Sequence, residues 1–347
     1  MKKYILGLES SCDETSCAII DTDGNLLSNI VSSQIDVHTK FGGVMPEIAS
    51  RMHVEQISIV IKQAIDEAHI TFDDLKAIAV TRGPGLIGAL HVGLQAAKTL
   101  ALALNIPLIP VHHLAGHIYA NTFIKELEFP CMALVTSGGH TQLVYMEKEF
   151  DFKIVGGTLD DAIGEAYDKV ARVIGLGYPG GPKIDKKSKE GQPNIKLPTP
   201  HTDSPLNVSF SGLKTACINY VHNNEQKGIE VNHADLCASF QHTAVHMVVN
   251  SLKHALELYP CKMVVVAGGV AANSYLRKVV SEEVNCEVLL PQLWCCSDNA
   301  AMIAKVAKKM DERKLYAPLD IGVDPNWSLE DFIGDIENGK NTCNNIK

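Results

Sequence analysis

Tyr4-Ile5-Leu6-Gly7-Leu8-Glu9-Ser10-Ser11-Cys12-Asp13-Glu14-Thr15-Ser16-Cys17-Ala18-Ile19-Ile20 decides the plan of the chain. Tyr4 to Gly7 is apolar, Glu9 to Thr15 is polar, and Cys17 to Ile20 is apolar again before a Thr22-Asp23-Gly24-Asn25 turn. That order reads as a hairpin with a polar mouth. The same plan returns later in the chain. Met132 to Val135 is apolar, Thr136-Ser137-Gly138-Gly139-His140-Thr141 is polar, and Leu143 to Tyr145 and Phe152 to Val155 are apolar. The chain therefore reads as internally duplicated.

Working outward, each hairpin is followed by apolar residues three and four apart, which predicts helices over Val54 to Ala68 and Asp161 to Ile174. Short strand-like runs follow, Ala77 to Val80 and Met263 to Val266. Two similar halves, each a mixed sheet flanked by helices, form the plan of the actin, hexokinase and Hsp70 ATPases, with a ligand cleft between the lobes. The expected fold is thus α/β and actin-like. At 347 residues the length also suits two lobes. The first is expected over 1–110 plus about 295–325, and the second over 111–294. A Gly/Pro/Lys-rich stretch at about 175–205 reads as a long loop, and 330–347 as a polar tail.

Hydrophobic residues at 46% and charged residues at 20% give a globular balance rather than a disordered one. The net charge of -9 excludes a chain-wide basic field for nucleic acid, so any such contact needs a local patch or a partner. Met1 to Cys12 offers only a short apolar stretch before Glu9, too short for a signal peptide or a membrane span, and a cytoplasmic location is expected. The ten cysteines contain no Cys-x-x-Cys pair and read as thiols in a reducing compartment.

Two histidine pairs, His113/His117 and His242/His246, have the four-residue spacing that places both rings on one helical face. His113 follows the apolar run Ile109-Pro110-Val111, so it is expected where a strand end opens into a helix. His242 lies inside a long amphipathic pattern from His233 to Leu258, where packing and surface positions explain it. A two-histidine site needs a third, hard ligand. Asp298, at a predicted helix start, supplies it if the strand before it returns to the first lobe. Two imidazoles and one carboxylate with open positions suit Fe(II), with zinc as the competitor.

Glycine turns at Ser137-Gly138-Gly139, Gly180-Gly181-Pro182 and Gly268-Gly269 could let backbone amides approach a phosphate or a ribose. Asp13 and Glu14, in the polar mouth, could position a reacting group. Asp168 sits on a predicted helix that could face a ribose, and Asp185 follows the glycine loop. A P-loop is absent, because Ser211-Gly212-Leu213-Lys214-Thr215 lacks its first half. A metalloprotease reading fails because Leu114 and Thr243 stand where His-Glu-x-x-His carries its base. A small-molecule kinase of the same fold and a non-catalytic nucleotide-binding scaffold stay open as alternatives.

Taken together the motifs resemble the TsaD/YgjD family, also called Gcp. They are LGLESSCDETS from Leu6, FGGVMPEIASRMH from Phe41, RGPGLIGALHVG from Arg82, PVHHLAGH from Pro110, SGGHTQL from Ser137, GEAYDKVAR from Gly164, YPGGP from Tyr178, SFSGLKT from Ser209, VAGGVAAN from Val266 and SDNAAMIA from Ser297. The resemblance runs from residue 4 to about residue 315. It implies transfer of a threonylcarbamoyl group from threonylcarbamoyl-adenylate to N6 of an adenosine beside the tRNA anticodon, with release of AMP. It also implies metal ligands at His113, His117 and Asp298, and substrate contacts at Val135, Thr136, Ser137, Gly138, Gly139, Asp168, Gly181, Asp185 and Asn273. Many relatives carry valine where Thr136 stands, and the residue at Asp185 varies among them. The implied partners are tRNA, a TsaB-like paralogue and a small TsaE-like ATPase, with no membrane.

Overall fold

The structure, a computed structural model, describes residues 3–339. In chain order it begins with β1 (Tyr4–Glu9), β2 (Glu14–Asp21), β3 (Leu26–Ser33), α1 (Ile35–Thr39), α2 (Pro46–Glu67), β4 (Leu75–Gly83), α3 (Ile87–Leu104), β5 (Leu108–His112) and α4 (His113–Tyr119). There follow β6 (Cys131–Thr136), β7 (Thr141–Met146), β8 (Phe152–Thr158), α5 (Ile163–Val173), α6 (Gly180–Ser188), β9 (Asn207–Val208), α7 (Ser211–Gln226) and α8 (His233–Leu258). The last elements are β10 (Met263–Ala267), α9 (Ser274–Glu283), β11 (Glu287–Leu289), α10 (Ala300–Glu312) and α11 (Phe332–Glu337).

The duplication read from sequence is present in the strand pairing. The first sheet has the order β3-β2-β1-β4-β5, and the second β11-β10-β6-β7-β8-β9. In each, an antiparallel meander (β1-β2-β3, or β6-β7-β8) is extended by two parallel strands (β4-β5, or β10-β11). By position in the repeat, α4 after β5 and α10 after β11 are counterparts.

Two compact units result, one holding the chain up to Thr122 and from Ser297 onward, the other Phe123–Cys296. The first unit thus extends beyond residue 110, because β5 runs directly into α4, and α4 packs against α10. In the first unit Leu6 and Leu8 share a core with Val60, Ala64, Leu94 and Ala97 of α2 and α3. Strand alternation then sends Gly7 and Glu9 to the opposite face. There a Cβ on Gly7 would stand 2.7 Å from the Ala300 carbonyl oxygen and 3.1 Å from Ala304 Cβ, so α10 lies directly on that face. Gly7→Ala is therefore expected to push α10 off the sheet, costing roughly 1–3 kcal/mol in a denaturant titration and weakening any metal bound through Asp298. α3 is long and apolar enough to cross a membrane by length and composition, yet it packs against α2 and β4, burying Leu90, Leu94 and Ala97.

In the second unit Met132, Leu134, Val264 and Val266 of the sheet share one core with Ala166 and Val170 of α5, Phe240, Ala244 and Val248 of α8, and Leu276 and Val280 of α9. Three local expectations are corrected. The helix expected from Val54 begins at Pro46, where proline at the first helical position is a start signal. The expected loop at 175–205 contains α6, whose first amide is satisfied by Asp168 from a different helix. The expected polar tail begins with α11, anchored by the buried ring of Phe332, whereas 340–347 lie outside the described residues.

Candidate metal centre and glycine turns

His113, His117 and Asp298 form a group whose ligand atoms all lie within 4.8 Å of one another, and no other such triad occurs among the described residues. Two helix starts build it. His113 and His117 occupy the first two turns of α4, and Asp298 stands just before α10. Asp298 does not cap that helix. Asn299 does, accepting from the Met302 amide, which leaves the Asp298 carboxylate directed to the histidines. It is α10 that returns to the first unit, while β11 stays in the second sheet.

Asp298 Oδ1 lies 3.1 Å from His117 Nε2 and 3.6 Å from His113 Nε2. Behind His113 sits Glu9, fully buried, with Oε2 3.1 Å from His113 Nδ1. A carboxylate only accepts, so the His113 ring proton stands on Nδ1 and the Nε2 lone pair faces the cluster. Thr81 and the Ser11 amide donate to the same carboxyl group and hold it in place. Burial alone would raise Glu9, but the charge and hydrogen bond of His113 keep it below the usual carboxylate range. Burial alone would lower His113, but Asp298 and then Glu9 outweigh it and raise the ring to about 9.

Two carboxylates around two imidazoles make a pocket for a cation. The Nδ1 of His117 is buried without a hydrogen-bond partner, so the polar surroundings of that ring lie only on its Nε2 side, in the cluster. The donor set fits a divalent transition metal. Among the described residues the second pair forms no comparable triad. His246 meets Tyr275 at 3.2 Å and Glu283 at 3.5 Å as a packed surface pair.

Asp13 and Glu14 occupy the hairpin mouth. The Asp13 carbonyl accepts from the Gln34 amide at 3.0 Å, and Glu14 Oε1 accepts from Ser33 at 3.2 Å. Burial first, then repulsion from Asp13 and Asp298, holds the Glu14 carboxyl well above the usual range. The loop is pinned by His53, whose ring meets the Cys12 carbonyl at 2.9 Å and the Thr15 hydroxyl at 2.7 Å. Sequence reading singled out neither His53 nor Glu9. The one signal for Glu9 was an acid closing an apolar strand.

The remaining candidates belong to the second unit and gather beyond the carboxyl ends of β6 and β10. Val135 and Thr136 end β6, and Ser137 to Gly139 form the turn to β7, closed by Ser137 N–H to the His140 carbonyl at 2.8 Å. Nothing lies within 4 Å of where a Cβ on Gly138, Gly139 or Gly181 would stand, so a ligand can come close to the backbone there. The turn is also backed closely. A Cβ on Gly268 (φ 88°) would stand 2.4 Å from the Thr136 carbonyl oxygen, so this position requires glycine. Asp168 accepts from the Gly180 amide at 2.6 Å and so caps α6. Asp185 accepts from Ser274 at 2.8 Å. Asn273 caps α9 through Oδ1 and donates to Gln241 at 2.8 Å, which makes it a positioning group in a buried network with Tyr167.

A family model described as TsaD, tRNA N6-adenosine threonylcarbamoyltransferase, matches residues 25–305. A protein of that name from Bacillus cereus is 51% identical over 94% of this chain and 96% of its own length. Another from Bacillus licheniformis is 51% identical over 95% and 98%. Among solved structures, component A of the (R)-2-hydroxyglutaryl-CoA dehydratase of Acidaminococcus fermentans aligns with a TM-score of 0.54 at 15% identity, over 89% of this chain and 99% of that one. Full-length HypF in its phosphate- and nucleotide-bound form aligns with a TM-score of 0.56 at 15% identity, over 90% and 47%. At that identity the two structures speak for the fold alone, which is the duplicated actin-like one. With a family model over most of its length and relatives half identical end to end, the chain belongs to the TsaD family of tRNA N6-adenosine threonylcarbamoyltransferases.

Proposed function

We propose that this chain moves the threonylcarbamoyl group from threonylcarbamoyl-adenylate to N6 of the adenosine beside the anticodon, in tRNAs reading codons that start with A. AMP is released, and one Fe(II) ion, with zinc as its competitor, is held by His113, His117 and Asp298. The observation that carries this reading is the His-His-Asp cluster backed by a buried carboxylate, in a chain half identical to enzymes named for that reaction.

In the reaction N6 bonds to the carbamoyl carbon, the bond from that carbon to the phosphate oxygen breaks, AMP leaves with the electron pair, and the amine gives up one proton. When bound, the ion supplies Lewis acidity toward carbonyl or phosphate oxygens. The protein's own part is largely fixed in advance. Glu9 sets the His113 tautomer, and the uncrowded turn through Gly138 and Gly139, held by Ser137, lets the adenylate phosphate approach the backbone amides of those two glycines, with Gly181 as a second uncrowded approach. The backbone of Val135 and Thr136 carries that turn. Asp168 and Asp185 offer acceptors to ribose hydroxyls, and Asn273 holds the wall behind them.

Asp13 and Glu14 take the proton-transfer role. Burial first, then the neighbouring Asp13 and Asp298, raises the Glu14 carboxyl well above the usual range and favours its protonated form. Asp13→Asn is expected to lower kcat roughly 10²-fold with metal content unchanged, whereas unchanged turnover with unchanged metal would remove Asp13 from the mechanism. With a net charge of -9 the chain lacks its own field for tRNA, and a TsaB-like paralogue and a TsaE-like ATPase are the proposed helpers, in the cytoplasm and away from membranes. The direct test supplies preformed threonylcarbamoyl-adenylate, unmodified tRNA and these partners, without ATP as substrate, and follows AMP. Release that requires tRNA supports the transfer; release equal with and without tRNA contradicts it.

A further inference from the structure

Residues 322–335 follow the part matched by the family model and contain none of the site residues, yet they touch the neighbour of a metal ligand. His112, fully buried, uses both ring nitrogens. Nδ1 accepts from the Leu114 amide at 3.2 Å, capping α4, so the ring proton stands on Nε2 and is donated to the Trp327 carbonyl at 2.9 Å. The Trp327 ring lies 5.5 Å from the His112 ring and 5.1 Å from Phe332, and the Arg82 guanidinium lies over it at 4.4 Å. All four side chains are at most 3% exposed. The Trp327 indole N–H donates to Asp335 at 3.1 Å, which fixes the ring in its plane.

The same segment is tied to a second wall of the metal cluster. Arg82 Nε donates to the Gly322 carbonyl at 3.1 Å, the Asp324 amide donates to the Arg82 carbonyl at 3.0 Å, and the Gly85 amide donates to the Pro325 carbonyl at 3.1 Å. The next amide, of Leu86, donates to the Ser11 carbonyl at 2.8 Å, and Ser11 Oγ stands 3.1 Å from His113 Nδ1. One segment thus meets His113 by two routes, through the His112 ring and through Gly85, Leu86 and Ser11.

We propose that Trp327 is a positioning residue for the metal centre: wedged among Arg82, His112 and Phe332, it fixes the His112 ring and with it the first turn of α4, from which His113 and His117 project. A ring rotation at His112 would release the cap of a seven-residue helix that carries two of the three ligands. The inference rests on the reading of His113, His117 and Asp298 as metal ligands.

The test is Zn(II) titration by calorimetry of the full-length wild type, Trp327→Ala, Trp327→Phe and His112→Asn, with folding of each checked by circular dichroism. Trp327→Ala is expected to bind Zn(II) roughly 10–100-fold more weakly, and Trp327→Phe, which keeps an aromatic wedge, to recover most of the loss. A residue serving stability alone would lower the melting temperature and leave the Zn(II) affinity of the folded protein unchanged, and that result overturns the proposal. If Trp327→Ala does not fold, His112→Asn decides. Asparagine keeps the cap acceptor and loses the link to the Trp327 carbonyl, so weakened Zn(II) binding supports the proposal and wild-type binding overturns it. A wild type that binds no Zn(II) sinks the metal-site reading, and this proposal with it.

Discussion

Asp298→Ala is expected to lose its bound metal and to slow threonylcarbamoyl transfer by roughly 10²–10³-fold. A bound ion acting on a developing charge contributes several kcal/mol, and each 1.36 kcal/mol is a factor of ten. Asp298 is the carboxylate shared by both histidines, at 3.1 and 3.6 Å, so its loss leaves two imidazoles without a hard donor beside them. The fold should survive, because the cap of α10 belongs to Asn299 and the packing of that helix to Ala300, Ala304 and Ala307, all fully buried. Metal analysis beside a melting curve separates the two effects. Lost metal with a near-native melting temperature is the expected pair of results, and wild-type metal content would remove Asp298 from the site.

Glu9→Ala should have the second-largest effect, and should show it in both stability and metal affinity. The substitution strands the Ser11 amide, the Thr81 hydroxyl and the His113 ring in a buried pocket. Breaking a buried charged pair by removing one partner costs roughly 3–5 kcal/mol, and loss of a carboxylate behind a ligating histidine costs roughly 10–100-fold in metal affinity. The same pair sets a pH dependence in the metal-free protein. His113 is raised to about 9, so its contribution to stability is complete below its ordinary value of 6.5 and is lost as pH rises toward 9. Glu9 is lowered, so its contribution is complete above the ordinary 4.5 and is lost as pH falls below it. Metal must displace the His113 proton, and affinity should therefore climb with pH through this range. Chelator competition at several pH values measures the slope, and a flat profile would contradict the assigned pair.

The parts of the fold legible in sequence were those set by local pattern. The duplicated hairpins, the helix from His233 to Leu258 and the strand end at His113 all follow from period and polarity within one stretch of chain. The parts that were not legible depend on distant partners. α6 begins at Gly180 because Asp168 supplies its cap from α5, and α11 persists because Phe332 meets Trp327 and His112. At the site the two histidine pairs look alike in sequence, with equal spacing and helical settings. The strand end before His113 and the family resemblance already favoured the first pair, and the return of α10 to the first unit, which places Asp298 beside it, gives the spatial reason. Glu9 stayed hidden because a strand-ending glutamate ordinarily faces water, and its burial against His113 is a tertiary fact.

The most direct measurement is mass spectrometry of tRNA nucleosides after incubation of unmodified tRNA with threonylcarbamoyl-adenylate, the partner proteins and either the wild type or His113→Ala. The account predicts threonylcarbamoyladenosine with the wild type, and little or none with the variant while it remains folded. No modified nucleoside from metal-loaded wild type, with partners shown to work beside a Bacillus relative, would contradict the transfer, and full modification by the metal-free variant would contradict the metal centre.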